Sequence, residues 1–321
     1  MSFADQIPSP APVPHGRGKG SLEHLLVGVD GSDAAGAAAS FAIWLAGAAH
    51  SQVTLLHACP DLRLAEHAPH TADARTLLAA AEHRVAQTSE WQRRLQNLED
   101  YAAEGAHVQS RVVRGRPAAA LLSAAGELDT DAILVGSTGV GSLRGRFLGS
   151  VSSQVVDHAR CSVMVFHEGE TSAPAHVASV VVGVDGSTAS TAAIAAGSAL
   201  AAAVDAKLVL VTAYGPSSAL APHSPELRAE LRHHAVSVLA GARAAVGGDT
   251  EVLEEPCEGG VRQVLVEACE LYGPSVLVVG ARGLGGFRGL LLGSTSRWVL
   301  NHAPCPVLVA RHRQDANPGD S

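Results

Sequence analysis

A glycine-rich stretch spanning residues 136–150 contains the residue types most suited to ligand chemistry. It reads GSTGVGSLRGRFLGS, so that two glycines three positions apart are followed, after nine further residues, by Gly-Ser. The apolar run Ala132–Val135 before it is typical of a buried parallel strand, and Ser150–His158 after it is typical of a short helix with Ser150 as N-cap. Glycines allow close backbone approach, and a helix N-terminus offers unpaired N–H groups. This order predicts an anion site, most often for phosphate.

The same pattern occurs a second time. Gly280-Ala-Arg-Gly283 is followed by nine residues and then by Gly293-Ser294, after the apolar run Val276–Val279. The offset between the two copies is 144 residues at every glycine. A single copy would indicate an ordinary turn between strand and helix, whereas two copies in matching contexts favour a ligand site.

Neither copy is a standard nucleotide motif. The pattern GxxxxGK[ST] does not occur, and the chain's one Gly-Lys pair is Gly18-Lys19 near the N-terminus. Arg144 stands where a dinucleotide fingerprint would need its third glycine, and the loop follows a fourth rather than a first strand.

The duplication extends over most of the chain. The sequence VGVDGS occurs at Val27–Ser32 and again at Val182–Ser187, and apolar runs alternate with helical segments in both halves. This predicts an α/β fold of two tandem doubly wound domains, each a parallel sheet with helices on both faces. The expected boundaries are a disordered head at 1–20, domains at 21–167 and 179–312, a linker at 168–178, and a tail at 313–321. Ligands in such sheets bind at the carboxyl ends of the strands, so one cleft is expected in each half.

Composition excludes several classes of function. With 47% apolar and 17% charged residues the chain can bury large cores. A net charge of −8 without a basic run, and 3% aromatic residues, argue against nucleic-acid binding. No apolar run reaches the roughly 18 residues of a membrane span. Five cysteines without a CxxC pair, and no signal-sequence pattern, favour a cytoplasmic location.

The combination of VGVDGS, the Gly-2x-Gly-9x-Gly-Ser spacing and His-Ala-x-Cys before the last strand of each half resembles the universal stress protein family. The loop spacing resembles the ATP-binding branch of that family. The resemblance implies five parallel strands in the order 3-2-1-4-5 in each half. It also implies ATP as the ligand, which Mg²⁺ can accompany, and little or no catalysis.

The resemblance also assigns roles to residues. The carboxylates of Asp30 and Asp185 would hydrogen-bond adenine, and the main chain near Ala58 and Ala213 would form the adenine wall. The ribose and inner phosphates would lie against Gly136, Thr138, Gly139, Gly280, Arg282 and Gly283. The terminal phosphates would lie against Gly149, Ser150, Val151, Gly293, Ser294 and Thr295. The strand-end residues Gly28, Val29, Val135, Gly183, Val184 and Val279 complete the predicted set.

Some residues leave alternatives open. Arg144, Arg146 and Arg288 lie in the loops and either reach a phosphate or remain solvated. The pairs His158 with Cys161 and His302 with Cys305 have no third or fourth ligand, so structural packing is favoured over metal binding. No catalytic residue is predicted. We expect Gly149 and Gly293 to resist substitution, because a Cβ there would intrude on the phosphates and a positive φ would add strain.

The predicted function is that of an ATP-binding stress-response or signalling protein without a dedicated reaction. The alternative is a slow ATPase or phosphotransferase that uses the same clefts, and a scaffold with vestigial clefts is disfavoured by the intact glycines. The two loops differ, with Ser137-Thr138 in one and Ala281-Arg282 in the other, so unequal affinities are expected.

The partners are ATP and an unidentified protein, and a homodimer is left open. The two halves are expected to pair through their last strands, Ser162–Phe166 and Val307–Ala310.

Overall fold

The computed structural model describes residues 22–59, 107–139, 148–167, 177–215, 224–273, 275–283 and 291–312. The elements of the first half are β1 (His24–Gly28), α1 (Asp33–Ala49), β2 (Gln52–Cys59), β3 (His107–Arg114), α2 (Pro117–Glu127), β4 (Ala132–Gly136), α3 (Ser150–His158) and β5 (Ser162–Phe166). Those of the second half are β6 (Ser179–Gly183), α4 (Thr188–Val204), β7 (Lys207–Tyr214), α5 (Pro225–Ala244), β8 (Val252–Glu258), α6 (Val261–Tyr272), β9 (Ser275–Gly280), α7 (Ser294–His302) and β10 (Val307–Ala310).

The strands of both halves form one continuous sheet in the order β3-β2-β1-β4-β5-β10-β9-β6-β7-β8. Neighbouring strands within each half are parallel, as expected when helical crossovers connect them. The halves meet where β5 and β10 pair antiparallel, with Leu308 opposite Met164. The predicted α/β fold with parallel sheets is therefore confirmed, and so is the pairing of the two last strands.

Apolar cores lie on both faces of the sheet, because the central strands are apolar at nearly every position. On one face the alanine-rich helices α1 and α4 pack on the strands and touch each other. Small side chains allow this close approach, and the rings of Phe41 on α1 and Phe166 on β5 lie 5.2 Å apart. The other face is covered by α2, α3, α6 and α7. Both faces of the central strands are thus buried, whereas the edge strands β3 and β8 are partly exposed.

The helices begin in two different ways. The hydroxyls of Ser32 and Ser187 accept hydrogen bonds from the first turns of α1 and α4. Helices α3 and α7 instead have Gly149 and Gly293 at the N-cap, and glycine has no side chain to satisfy the first N–H groups. The prediction of Ser150 as N-cap is therefore wrong. Ser150 is the first helical residue, because the carbonyl of Gly149 already accepts the bond from Ser153 N at 3.0 Å.

Several predicted features lie outside the described residues. These are the head at 1–20, residues 168–176 of the linker, the tail at 313–321, and the loop arginines Arg144, Arg146 and Arg288. Within the described ranges, no helix is both long and apolar enough to cross a bilayer.

Candidate functional site

Each half contains one cavity at the carboxyl ends of its central strands. The first has a volume of about 400 Å³ and opens between the ends of β1, β2 and β4 and the start of α3. The second has a volume of about 620 Å³ and is formed by the equivalent elements β6, β7, β9 and α7. Every residue predicted for the site in either half lines the cavity of that half. The structure thus brings the predicted residues together, although they come from segments more than 100 residues apart.

The two aspartates connect the end of the first strand to the glycine loop. Asp30 Oδ1 accepts hydrogen bonds from Ser32 N at 3.0 Å and Ser32 Oγ at 2.7 Å. A Cβ added to Gly139 would lie 2.6 Å from Asp30 Oδ2. Asp185 and Gly283 repeat this arrangement with the same 2.6 Å approach. A side chain at either position would have to displace the carboxylate end of the aspartate.

The end of the loop is held against the strand it follows. Gly149 N donates to Ser137 O at 2.6 Å, and the hydroxyl of Ser152 donates to the same carbonyl at 2.7 Å. In the second half Gly293 N donates to Ala281 O at 2.8 Å. Residues of the first turns of α3 and α7 line the cavities, and neither helix has a side-chain cap. Such helix ends favour anions.

The backbone at the N-cap glycines has no positive φ, so the strain that a positive φ would add does not arise there. Gly149 has φ −67° and Gly293 has φ −71°, values that any residue adopts. A Cβ at Gly149 would lie 3.2 Å from Ser137 O, and one at Gly293 would lie 3.5 Å from Ala281 O. A small side chain therefore fits with little adjustment, and the case for glycine here depends on what approaches from the cavity.

The inner wall of each cavity is apolar. Leu56, Leu121 and Val135 line it in the first half, and Val211, Leu265 and Val279 occupy the equivalent positions in the second. The strand end beside Asp30 is held by His57, whose Nδ1 lies 2.7 Å from Val29 O, and in the second half Thr212 Oγ1 donates to Val184 O at 2.9 Å. An apolar slot with polar groups at one edge suits a flat heterocycle.

The two cavities differ in charge. Ser137 and Thr138 of the first are neutral and buried, whereas exposed Arg282 lines the second. His234 of α5 also lines the second cavity. His234 is not among the residues predicted for the site, and although it is exposed, it lies at the cavity rim. Which residues of α5 line the cavity depends on how this helix packs against the sheet, and the sequence does not show that packing.

The histidines of the two histidine–cysteine pairs are close to carbonyl groups of their own helices, and the cysteines are buried. His158 Nδ1 lies 2.9 Å from Gln154 O, and His302 Nδ1 lies 2.8 Å from Trp298 O, each one turn back along its helix. The ring of His302 also stacks on Trp298 at 4.0 Å, and Cys161 and Cys305 are buried. In the part of the chain that the structure describes, no three metal-binding side chains lie together.

Comparison with known proteins identifies the family. The model of the universal stress protein family matches residues 21–167 and 177–311, which are most of the chain. The chain belongs to the universal stress protein family. Two universal stress proteins of Mycobacterium tuberculosis are similar to it: Rv2005c is 30% identical over 211 residues, covering 64% of this chain and 69% of that protein, and Rv2623 is 33% identical over 210 residues, covering 64% and 68%.

A solved structure has the same overall fold. The crystal structure of a universal stress protein from Archaeoglobus fulgidus aligns with a TM-score of 0.64 over 90% of this chain and 98% of that chain, at 18% identity. At this identity the likeness concerns the fold alone.

Proposed function

We propose that each half of this universal stress protein binds one ATP molecule and that the protein acts as an ATP-binding stress-response or signalling protein without a dedicated catalytic reaction. The observation that carries the proposal is the pair of cavities in which a glycine loop, an aspartate and an open helix N-terminus converge. ATP presents a base to the apolar wall and an anionic chain to the helix end.

The adenine base would occupy the apolar slot of each cavity. In the first half, Leu56, Leu121 and Val135 offer it apolar contact, and the carboxylate of Asp30 is an acceptor for its amino group. A cavity of about 400 Å³ is within the range of small-ligand sites. The residues present therefore fit the base.

The phosphates would lie along the loop and at the start of α3 or α7. The first N–H groups of these helices have no intrahelical acceptor, and hydrogen bonds from N–H groups to a charged oxygen are about twice as strong as neutral ones. Ser150 and Ser294 add hydroxyl donors at the same helix ends. A Mg²⁺ ion would be held mainly by phosphate oxygens and water, which agrees with the lack of a carboxylate cluster among the described residues.

Slow hydrolysis remains the second candidate, and one observation favours it in one half. His234 lines the second cavity and could act as a general base, whereas His57 of the first cavity is engaged with Val29 O. Phosphate release measured with wild type and His234→Ala tests this candidate. A rate that falls about tenfold or more in the variant would support it.

Isothermal titration of the purified protein with ATP tests the main proposal. The expected stoichiometry is close to two ATP per chain, because both halves present the full set of groups. Folded protein that takes up no ATP would contradict the proposal. A stoichiometry of one would restrict it to a single half.

A further inference from the structure

A hydrogen bond crosses from the second half to the glycine loop of the first. Asn301 on α7 accepts at Oδ1 from Leu148 N at 3.0 Å, although the two residues are 153 positions apart. The Nδ2 group of Asn301 donates to Arg297 O at 2.8 Å. Because a carbonyl accepts only from the NH₂ group, this second bond fixes the orientation of the amide and directs Oδ1 to Leu148.

Leu148 is the residue immediately before the N-cap of α3. Gly149 N is bonded to Ser137 O at 2.6 Å, so two consecutive N–H groups at the loop end are fixed. One is held by Ser137, directly after β4 of the same half, and the other by a side chain of the second half. The next N–H groups, of Ser150 and Val151, are those we assign to the phosphates.

The equivalent bond in the opposite direction is replaced by an ion pair. By the repeat offset, Asp157 is the counterpart of Asn301, and Leu292 is the counterpart of Leu148. The carboxylate of Asp157 accepts instead from Arg297 Nη2 at 2.7 Å. The counterpart of Arg297 in the first half is Ser153. An arginine that can pair with the residue at this position is therefore present on α7 but not on α3. Among the described residues, no hydrogen bond joins Asp157 to Leu292 N.

We propose that Asn301 is a positioning residue for the nucleotide site of the first half, so that the second half completes the first site but not the reverse. The inference rests on the proposed ATP binding. If the loop end is already ordered before the ligand binds, the free energy of binding does not include the entropic cost of ordering it. Without Asn301, Leu148 N–H loses its acceptor and the start of α3 is held by one bond fewer.

Asn301→Leu is the test substitution, since leucine has a similar size and neither accepts nor donates hydrogen bonds. It is made in two single-site backgrounds, Gly293→Glu, which leaves the first site, and Gly149→Glu, which leaves the second. With ATP as the probe, the Kd of the first site should rise about three- to tenfold, the equivalent of one neutral hydrogen bond. The Kd of the second site should change less than about twofold. The matched control Asp157→Asn should leave both Kd values unchanged.

Amide hydrogen exchange gives a readout that does not depend on nucleotide. Asn301→Leu should accelerate exchange at Leu148 by about tenfold and leave Leu292 unaffected, since a lost hydrogen bond exposes the N–H to water. Unchanged exchange at Leu148, an unchanged first-site Kd, or an equal loss at both sites would overturn the inference. If neither parent background binds ATP, the proposed function fails, and the exchange at Leu148 still decides whether Asn301 holds the loop.

Discussion

At the scale of single residues, the contact between Asp30 and Gly139 makes a sharp prediction. A methyl group at Gly139 would lie 2.6 Å from Asp30 Oδ2, closer than atoms pack, so the carboxylate or the loop must move. We expect Gly139→Ala to weaken ATP binding at the first site by at least about tenfold while circular dichroism is unchanged. The matched control is Gly126→Ala on α2, where an added Cβ meets no atom within 4 Å. Wild-type affinity in Gly139→Ala would contradict the assigned role.

Arg282 makes a second prediction at the residue scale. It occupies the position in the second loop where Thr138 stands in the first, and it lines the second cavity. Arg282→Thr should reduce the preference of the second site for ATP over AMP and weaken the salt dependence of its Kd, because one cation near the phosphates is removed. Titrations with both nucleotides at low and high salt in the Gly149→Glu background measure this. Identical salt dependence in both proteins would place Arg282 away from the phosphates.

At the scale of elements, a buried network joins β1 to its neighbours. His24 contacts Leu128 O through Nδ1 at 3.1 Å and Thr54 Oγ1 through Nε2 at 2.9 Å, and Gln109 donates to the same threonine at 2.8 Å. Burial lowers the pKa of His24, against smaller opposing effects from Leu128 O and Asp131. Burial therefore favours the neutral imidazole in the folded chain.

This network predicts a pH dependence of stability. The unfolded chain binds a proton at His24 near its ordinary pKa of about 6.5, whereas the folded chain binds it only at lower pH. The contribution of neutral His24 is thus fully present above that pH and is lost as the pH falls toward the folded pKa. Urea unfolding between about pH 7.5 and 5.5 should show a smaller decline for His24→Gln than for wild type. Parallel declines in the two proteins would refute this explanation.

The elements also show how far the sequence alone could predict this structure. The ranges Ser162–Phe166 and Val307–Ala310 were predicted with the bounds that the structure has, because long apolar runs between helices leave little choice. The range Ser150–His158 of α3 was also predicted with the bounds that the structure has. Its N-cap was wrong, because serine is the better cap by propensity but the carbonyl of Gly149 already accepts the first helical bond.

The residues that the sequence analysis did not identify make contacts between segments that are distant in the chain. His234 meets its cavity through the packing of α5 on the sheet, and Asn301 meets Leu148 across the boundary of the halves. No motif or periodicity marks such residues. The glycines and aspartates were identifiable because the same spacing occurs once in each half.

At the scale of the whole molecule, the antiparallel contact of β5 and β10 makes the halves one sheet. Val309 at this contact is fully buried, so Val309→Asp would place an unpaired charge in the core and should cost about 3 kcal/mol or more of unfolding free energy. The control Leu271→Asp, at a side chain 75% exposed, should cost less than about 0.5 kcal/mol. Denaturant unfolding monitored by circular dichroism compares them. Equal stabilities would show that the strand contact contributes little.

The central claim is that each half contains a nucleotide site at its glycine loop, and paired substitutions test it most directly. Glutamate at Gly149 or Gly293 adds a negative charge and a side chain where we place the phosphates, at positions whose backbone tolerates a Cβ. ATP titration should give a stoichiometry near two for wild type, near one for Gly149→Glu or Gly293→Glu, and zero for the double variant, with unchanged circular dichroism in all four. A folded double variant that binds ATP as wild type does would contradict the account.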